Sequence, residues 1–112
     1  MITGFAQTPA PPYYAVIFTS KRTDGDRGYD AMAQEMVELA LSQDGCLGLE
    51  SVHGTDGIGI TVSYWRDESA IRTWKQNERH LQAQRGGQQA WYEHYELRIC
   101  RVERAYGGPG HL

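Results

Sequence analysis

Ile58-Gly59-Ile60-Thr61-Val62-Ser63-Tyr64-Trp65-Arg66-Asp67-Glu68-Ser69-Ala70-Ile71-Arg72-Thr73-Trp74 changes its period partway along. Up to Trp65 it alternates: Ile58, Ile60, Val62 and Tyr64 fall on one side, and Thr61, Ser63 and Trp65 on the other. That is a β-strand with aromatic residues on both faces. Beyond Asp67 the apolar residues Ala70, Ile71 and Trp74 gather on one side of a helix. Asp67 suits the N-cap, because its carboxylate accepts a hydrogen bond from a first-turn amide that has no partner inside the helix.

Upstream, Gly54-Thr55-Asp56-Gly57 is a hairpin turn, preceded by an alternating strand over residues 46–53. Before that, Tyr29, Met32, Ala33, Met36, Val37 and Ala40 make one helical stripe within residues 28–42, and Asp44-Gly45 ends it. Residues 13–20 are β-branched and aromatic at both parities and predict a strand central in its sheet. Downstream, the second helix is expected to break near Asn77, a weak helix former, and to resume through Glu78 to Gln84 before Gly86-Gly87 interrupts it. A last strand starts near Tyr92. Its apolar phase passes from Tyr95, Leu97 and Ile99 to Cys100 and Val102, which predicts a bulge or a strand passing from one environment to another.

The order β-α-β-β-α-β is the ferredoxin-like α+β arrangement, four antiparallel strands with both helices on one face. Residues 1–12, with three prolines, read as a flexible arm, 13–106 as the folded domain, and 107–112 as a flexible tail. The helices leave one sheet face uncovered although it is apolar. Such a face marks an interface or a ligand cavity, so a homodimer packed sheet to sheet is expected.

At 112 residues there is room for one core. A net charge of −3 argues against a nucleic-acid partner, which calls for a basic excess. An RNA-recognition module shares this strand order, but residues 59–64 lack its basic-glycine-aromatic core. No apolar run is long enough to span a membrane. There is no signal-peptide pattern, and Cys46 and Cys100 make neither a disulfide framework nor a metal centre, so a reduced, cytoplasmic protein is expected. His-x-His and His-Glu-x-x-His are absent, and a metal site has no support. The serines lack a nucleophile-elbow context. Gly54, Gly57 and Gly59 belong to a hairpin rather than a phosphate-binding loop.

Residues 60–74, with a strand ending in Trp65, an acidic turn and a second tryptophan at Trp74, resemble the antibiotic biosynthesis monooxygenase domain. Gly45-Cys46-Leu47-Gly48-Leu49-Glu50 resembles that family's loop and second strand. The resemblance covers residues 13–106 and implies a dimeric α+β barrel. Its members include oxygenases of polycyclic aromatic compounds that need no cofactor, and haem-degrading monooxygenases. Haem-degrading members carry an Asn in the first strand, a Trp on the second helix and a His ten residues further on. Here the Trp falls on Trp74, the His position on Gln84, and residues 15–20 hold no Asn.

The resemblance therefore implies a small monooxygenase-like protein that oxidises an aromatic or quinone-type molecule without a bound cofactor. The alternatives are a non-catalytic ligand-binding or dimerisation protein of the same fold and, behind it, a haem-degrading enzyme. The candidate catalytic residues are Trp74, whose indole N–H would donate to a substrate oxygen, and His80, a base near neutral pH. Phe18, Tyr64 and Gln84 are the candidate substrate-binding residues. Core packing is the competing reading for Trp74 and Trp65, and a solvent-facing histidine for His80. His80 lies six residues beyond Trp74, about 240° net around a helix. The pair can share a face only if the helix breaks near Asn77.

Overall fold

A strand apolar at both parities needs neighbours on both edges and cover on both faces, and β1 (Tyr13–Arg22) has both neighbours: the sheet order is β2-β3-β1-β4 and all pairings are antiparallel. The computed structural model describes residues 4–25, 28–84 and 91–109, the side chains of 82–84 excepted. The remaining elements are α1 (Tyr29–Ser42), β2 (Cys46–His53), β3 (Ile58–Trp65), α2 (Glu68–Gln84) and β4 (Tyr92–Val102). This is the ferredoxin-like α+β fold expected from the sequence.

Residues opposite one another in an antiparallel ladder share a face. Val16 therefore points the same way as Ser63, Leu49 and Ile99. On that face Val16, Leu49 and Trp65 join Ala40 of α1 and Ala70, Ile71 and Trp74 of α2 in the core. Trp65 is fully buried, stacks on Trp74 with ring centroids 4.9 Å apart, and donates its indole hydrogen to Ser63 at 2.8 Å. The opposite face carries Ile17, Val62, Ile60 and Val52, and neither helix covers it. Val52 is 67% exposed there.

Asp67 caps α2 as expected: its carboxylate accepts the Ala70 amide at 2.8 Å, and this bond, with Arg66 beside it, holds its pKa below the usual carboxylate range. Gly45 closes the link between α1 and β2 at φ +91°, where an added Cβ would lie 2.7 Å from the Ala70 methyl. Only glycine allows both that backbone conformation and the close approach of loop to helix.

Two expectations are corrected. The helix does not break at Asn77: α2 is continuous, and the Asn77 side chain instead donates to Gln43 Oε1 at 2.9 Å, tying α2 to the end of α1. The phase change in β4 is not a bulge, since β4 pairs with β1 in unbroken register from Val102 to His94. The irregularity falls at Arg22, opposite Tyr92. Tyr95, Leu97 and Ile99 face the helices and Cys100 and Val102 the other side, so both faces of this edge strand are partly apolar. Residues 4–12 have no helix or strand. The Ala6 amide donates to Glu50 Oε2 at 3.0 Å, and the Tyr13 hydroxyl donates to Thr8 at 3.1 Å. Thr8 on one side and the Tyr64 ring, 5.9 Å away centroid to centroid, on another accompany the burial of Tyr13 on a face that neither helix covers.

Candidate functional site

Between the helices and the sheet lies a cavity of about 180 Å³. The sheet contributes Val16 and Phe18 from β1, Leu97 and Tyr95 from β4, and the hydroxyls of Ser51, Thr61 and Ser63 from β2 and β3. The stripe that made α1 legible in the sequence supplies Met32 and Met36, and α2 supplies Trp74, Lys75 and Glu78. The cavity exists because small hydroxyl residues stand on the inner face of β2 and β3 where a packed core would carry Val or Leu. Ser51 and Thr61 satisfy each other at 2.8 Å.

Trp74 is 7% exposed, lines this cavity, and its Nε1 has no hydrogen-bond partner among the described residues. Trp65, its stacking partner, has Ser63 as acceptor. A buried donor without an acceptor costs roughly 1–3 kcal/mol, and a ligand oxygen in the cavity would recover that. One turn further along α2, Glu78 lines the same cavity and pairs with Lys75 at 2.5 Å. The Lys75 ammonium lies 5.1 Å from the Trp74 ring centroid. A hydrogen-bond donor, a carboxylate and an ammonium thus meet beside an aromatic-lined space. At its far end Phe18, Tyr29, Tyr92 and Tyr95 pack edge to face. Burial first, then the Tyr29 hydroxyl and the Glu78 charge, push the Tyr92 phenol far above its ordinary pKa, so it stays a neutral donor.

Trp74 and Phe18, expected at the site, are both in the cavity. Tyr64 is not: it faces the opposite side of the sheet, where its hydroxyl donates to Glu50 Oε1 at 2.6 Å. The side chain of Gln84 lies outside the described residues. His80 is exposed and away from the cavity, because α2 runs straight and carries it round to another face. The group overlooked in the sequence is Glu78. Its signal was the i, i+4 spacing from Trp74, which places two side chains on one helix face.

Among the described residues no cluster of three or more His, Cys, Asp and Glu could hold a metal ion. No described helix is long and apolar enough to cross a membrane. The inner cavity taken alone, at about 180 Å³, lies below the roughly 300–1,000 Å³ of sites for drug-sized ligands.

The Tyr64–Glu50 pair makes an alkaline prediction. Burial and the Glu50 carboxylate raise the Tyr64 pKa to about 12, against about 10 for an unfolded tyrosine. Its contribution to stability is complete below pH ~10 and is lost as the pH rises through about 12. Ultraviolet titration of tyrosinate should show a late-ionising group that Tyr64→Phe removes. Ionisation of all the tyrosines as one group near pH 10 would contradict the pairing.

A family model for antibiotic biosynthesis monooxygenases matches residues 12–86. YqjZ of Bacillus subtilis strain 168, an uncharacterized protein, is 47% identical over 104 residues, covering 93% of this chain and 91% of that protein. Among solved structures, PA3566 from Pseudomonas aeruginosa superposes with a TM-score of 0.67 at 18% identity, covering 88% of this chain and all of that one. SnoaB, a cofactor-independent oxygenase from Streptomyces nogalater, superposes with a TM-score of 0.67 at 12% identity, covering 85% of this chain and 97% of SnoaB. At these identities the structural likeness speaks for the fold alone. The family match runs from the start of β1 to the end of α2 and takes in both Trp65 and Trp74, and with it the chain belongs to the antibiotic biosynthesis monooxygenase family.

Proposed function

We propose that the protein is a cofactor-independent monooxygenase acting on a phenolic or quinone-type molecule of one or two rings held in the cavity. The observation that carries this reading is the buried, unpartnered Trp74 Nε1 in a cavity that Glu78 also lines. With naphthol in the cavity, Glu78 takes the hydroxyl proton, and the Trp74 N–H and the Lys75 charge hold the resulting oxyanion. The naphtholate passes one electron to dioxygen. The radical and superoxide join at a ring carbon, and the peroxide then loses water as that carbon becomes a carbonyl. Naphthol and dioxygen give naphthoquinone and water, so no outside reductant is needed. SnoaB, whose fold this chain shares, is itself a cofactor-independent oxygenase.

Trp74→Phe keeps the ring and removes the donor. It should weaken naphthol binding by about tenfold, in line with the ~1.5 kcal/mol of one hydrogen bond, as read by calorimetric titration. Unchanged binding would remove the Trp74 assignment. A second reading, a ligand-binding protein without turnover, is favoured by the outward placement of His80, the one base first assigned to the chemistry. Oxygen uptake with saturating naphthol separates the two readings, since a binding protein consumes none.

The proposal includes a homodimer formed through the helix-free face, where Val52 is 67% and Ile60 39% exposed. Sedimentation equilibrium at micromolar concentration should give about twice the 12.6 kDa of the chain, and a clean monomer would exclude it. Two free cysteines, Cys46 and Cys100, suit a reducing cytoplasm.

A further inference from the structure

The cavity does not end at Tyr29. A second, wider space of about 660 Å³ shares Tyr29, Val37, Ser51 and His53 with it and runs outward between α1 and the β2–β3 hairpin. Its chemistry differs from that of the inner space. Inside, Lys75 and Glu78 cancel. Outside stands Arg22, at the end of β1, with its guanidinium stacked 3.7 Å from the Tyr29 ring centroid. Arg22 is not ion-paired with any carboxylate among the described residues, and its Nε is buried without a hydrogen-bond partner. Its one side-chain bond among the described residues is a long one, Nη2 to the Gly25 carbonyl at 3.4 Å. His53 lines both spaces, and its ring lies over Gly59, its cross-strand partner. A Cβ on Gly59 would come within 2.6 Å of that ring, so the glycine is what lets the imidazole lie there. Asp30 and Gln34 of α1 border the same groove, and Asp30 is the opposing charge that a ligand must avoid.

We propose that this groove is an anion subsite, in which Arg22, with His53 as second donor, holds a carboxylate carried by the aromatic molecule whose rings fill the inner cavity. The inference rests on the cavity reading above and narrows the substrate to aromatic acids. A guanidinium is planar whatever its surroundings and presents its edge donors as a fork, the geometry a carboxylate accepts, and here its central carbon is held 3.7 Å from the Tyr29 ring centroid. The ordering entropy of the long side chain is already spent on the stack with Tyr29.

The test compares a hydroxynaphthoate with naphthol by calorimetric titration of the full chain. Wild type should bind the hydroxynaphthoate about tenfold or more tightly than naphthol. Raising the ionic strength should shrink that difference, because a partly exposed charge pair is screened while ring burial is not. Arg22→Gln should abolish the preference, the hydroxynaphthoate losing about tenfold or more in affinity relative to naphthol. Should Arg22→Gln loosen the fold, the salt dependence in wild type decides alone. Equal affinities for the two probes in wild type, or a preference that survives both salt and Arg22→Gln, would overturn the subsite while leaving the cavity reading in place. Binding of neither probe would overturn both. Arg22-dependent binding of the hydroxynaphthoate with no binding of naphthol would keep the subsite and move the rings out of the inner cavity.

Discussion

Trp65→Ala should lower the unfolding free energy by about 3–5 kcal/mol, measured by urea denaturation. Against a total of roughly 5–15 kcal/mol for a domain, that is enough to leave a weak member of the range partly unfolded. Trp65 has no exposed surface and is the largest fully buried side chain. Its removal opens a void between β3 and α2, unstacks Trp74 and strips Ser63 of its donor. The void lies against the cavity that already separates the helices from the sheet, so the surrounding groups cannot collapse to fill it without losing the site. Trp65→Phe keeps most of the stack and loses the hydrogen bond, and should cost about 1–3 kcal/mol. A loss below ~1 kcal/mol for the alanine variant would mean that the core does not depend on this residue.

The same residue shows how far the sequence could be read. The change of period at Trp65, the Asp67 cap and the stripe from Tyr29 to Ala40 are local signals, and local signals set these elements. The element order then left few topologies, and the ferredoxin-like sheet is the one found. What failed was non-local. Asn77 looked like a helix breaker because its propensity is weak, yet its side chain bonds Gln43 across the helix pair and the helix continues. Tyr64, a candidate substrate-binding residue, lies outside the cavity because adjacent strand residues face opposite ways, and it pairs with Glu50 beside the N-terminal segment. Nothing in the proline-rich stretch of residues 4–12 announces that the Ala6 amide meets Glu50, forty-four positions away. The cavity was legible only in part. Trp74 and the α1 stripe were visible, whereas the hydroxyls of Ser51, Thr61 and Ser63 acquire meaning only once strand register places them opposite one another.

Glu78→Gln should lower turnover of naphthol by ~10²-fold or more, the usual scale for a lost general base. Naphthol affinity should change little, since the amide keeps the size of the side chain and the Trp74 donor is untouched. His80→Ala should change neither turnover nor affinity. Helix geometry dictates the contrast. Four residues past Trp74 is about 40° from the same direction, and six residues is about 240°. With α2 continuous through Asn77, Glu78 lines the cavity and His80 is exposed. Glu78→Gln also leaves the Lys75 ammonium facing a neutral amide. The oxyanion of bound naphthol is then the nearest replacement for the lost charge, so the variant should bind naphtholate better as the pH rises. A base defect of this kind is relieved at high pH, where substrate arrives already ionised, and the difference from wild type should narrow there. A mere loss of structure would not narrow with pH. If instead His80→Ala abolished turnover and Glu78→Gln did not, the straight helix would be the wrong guide and the proton would leave by another route. If wild type bound naphthol and consumed no oxygen, the cavity would be a binding site, and Glu78 would serve only to hold Lys75 over the Trp74 ring.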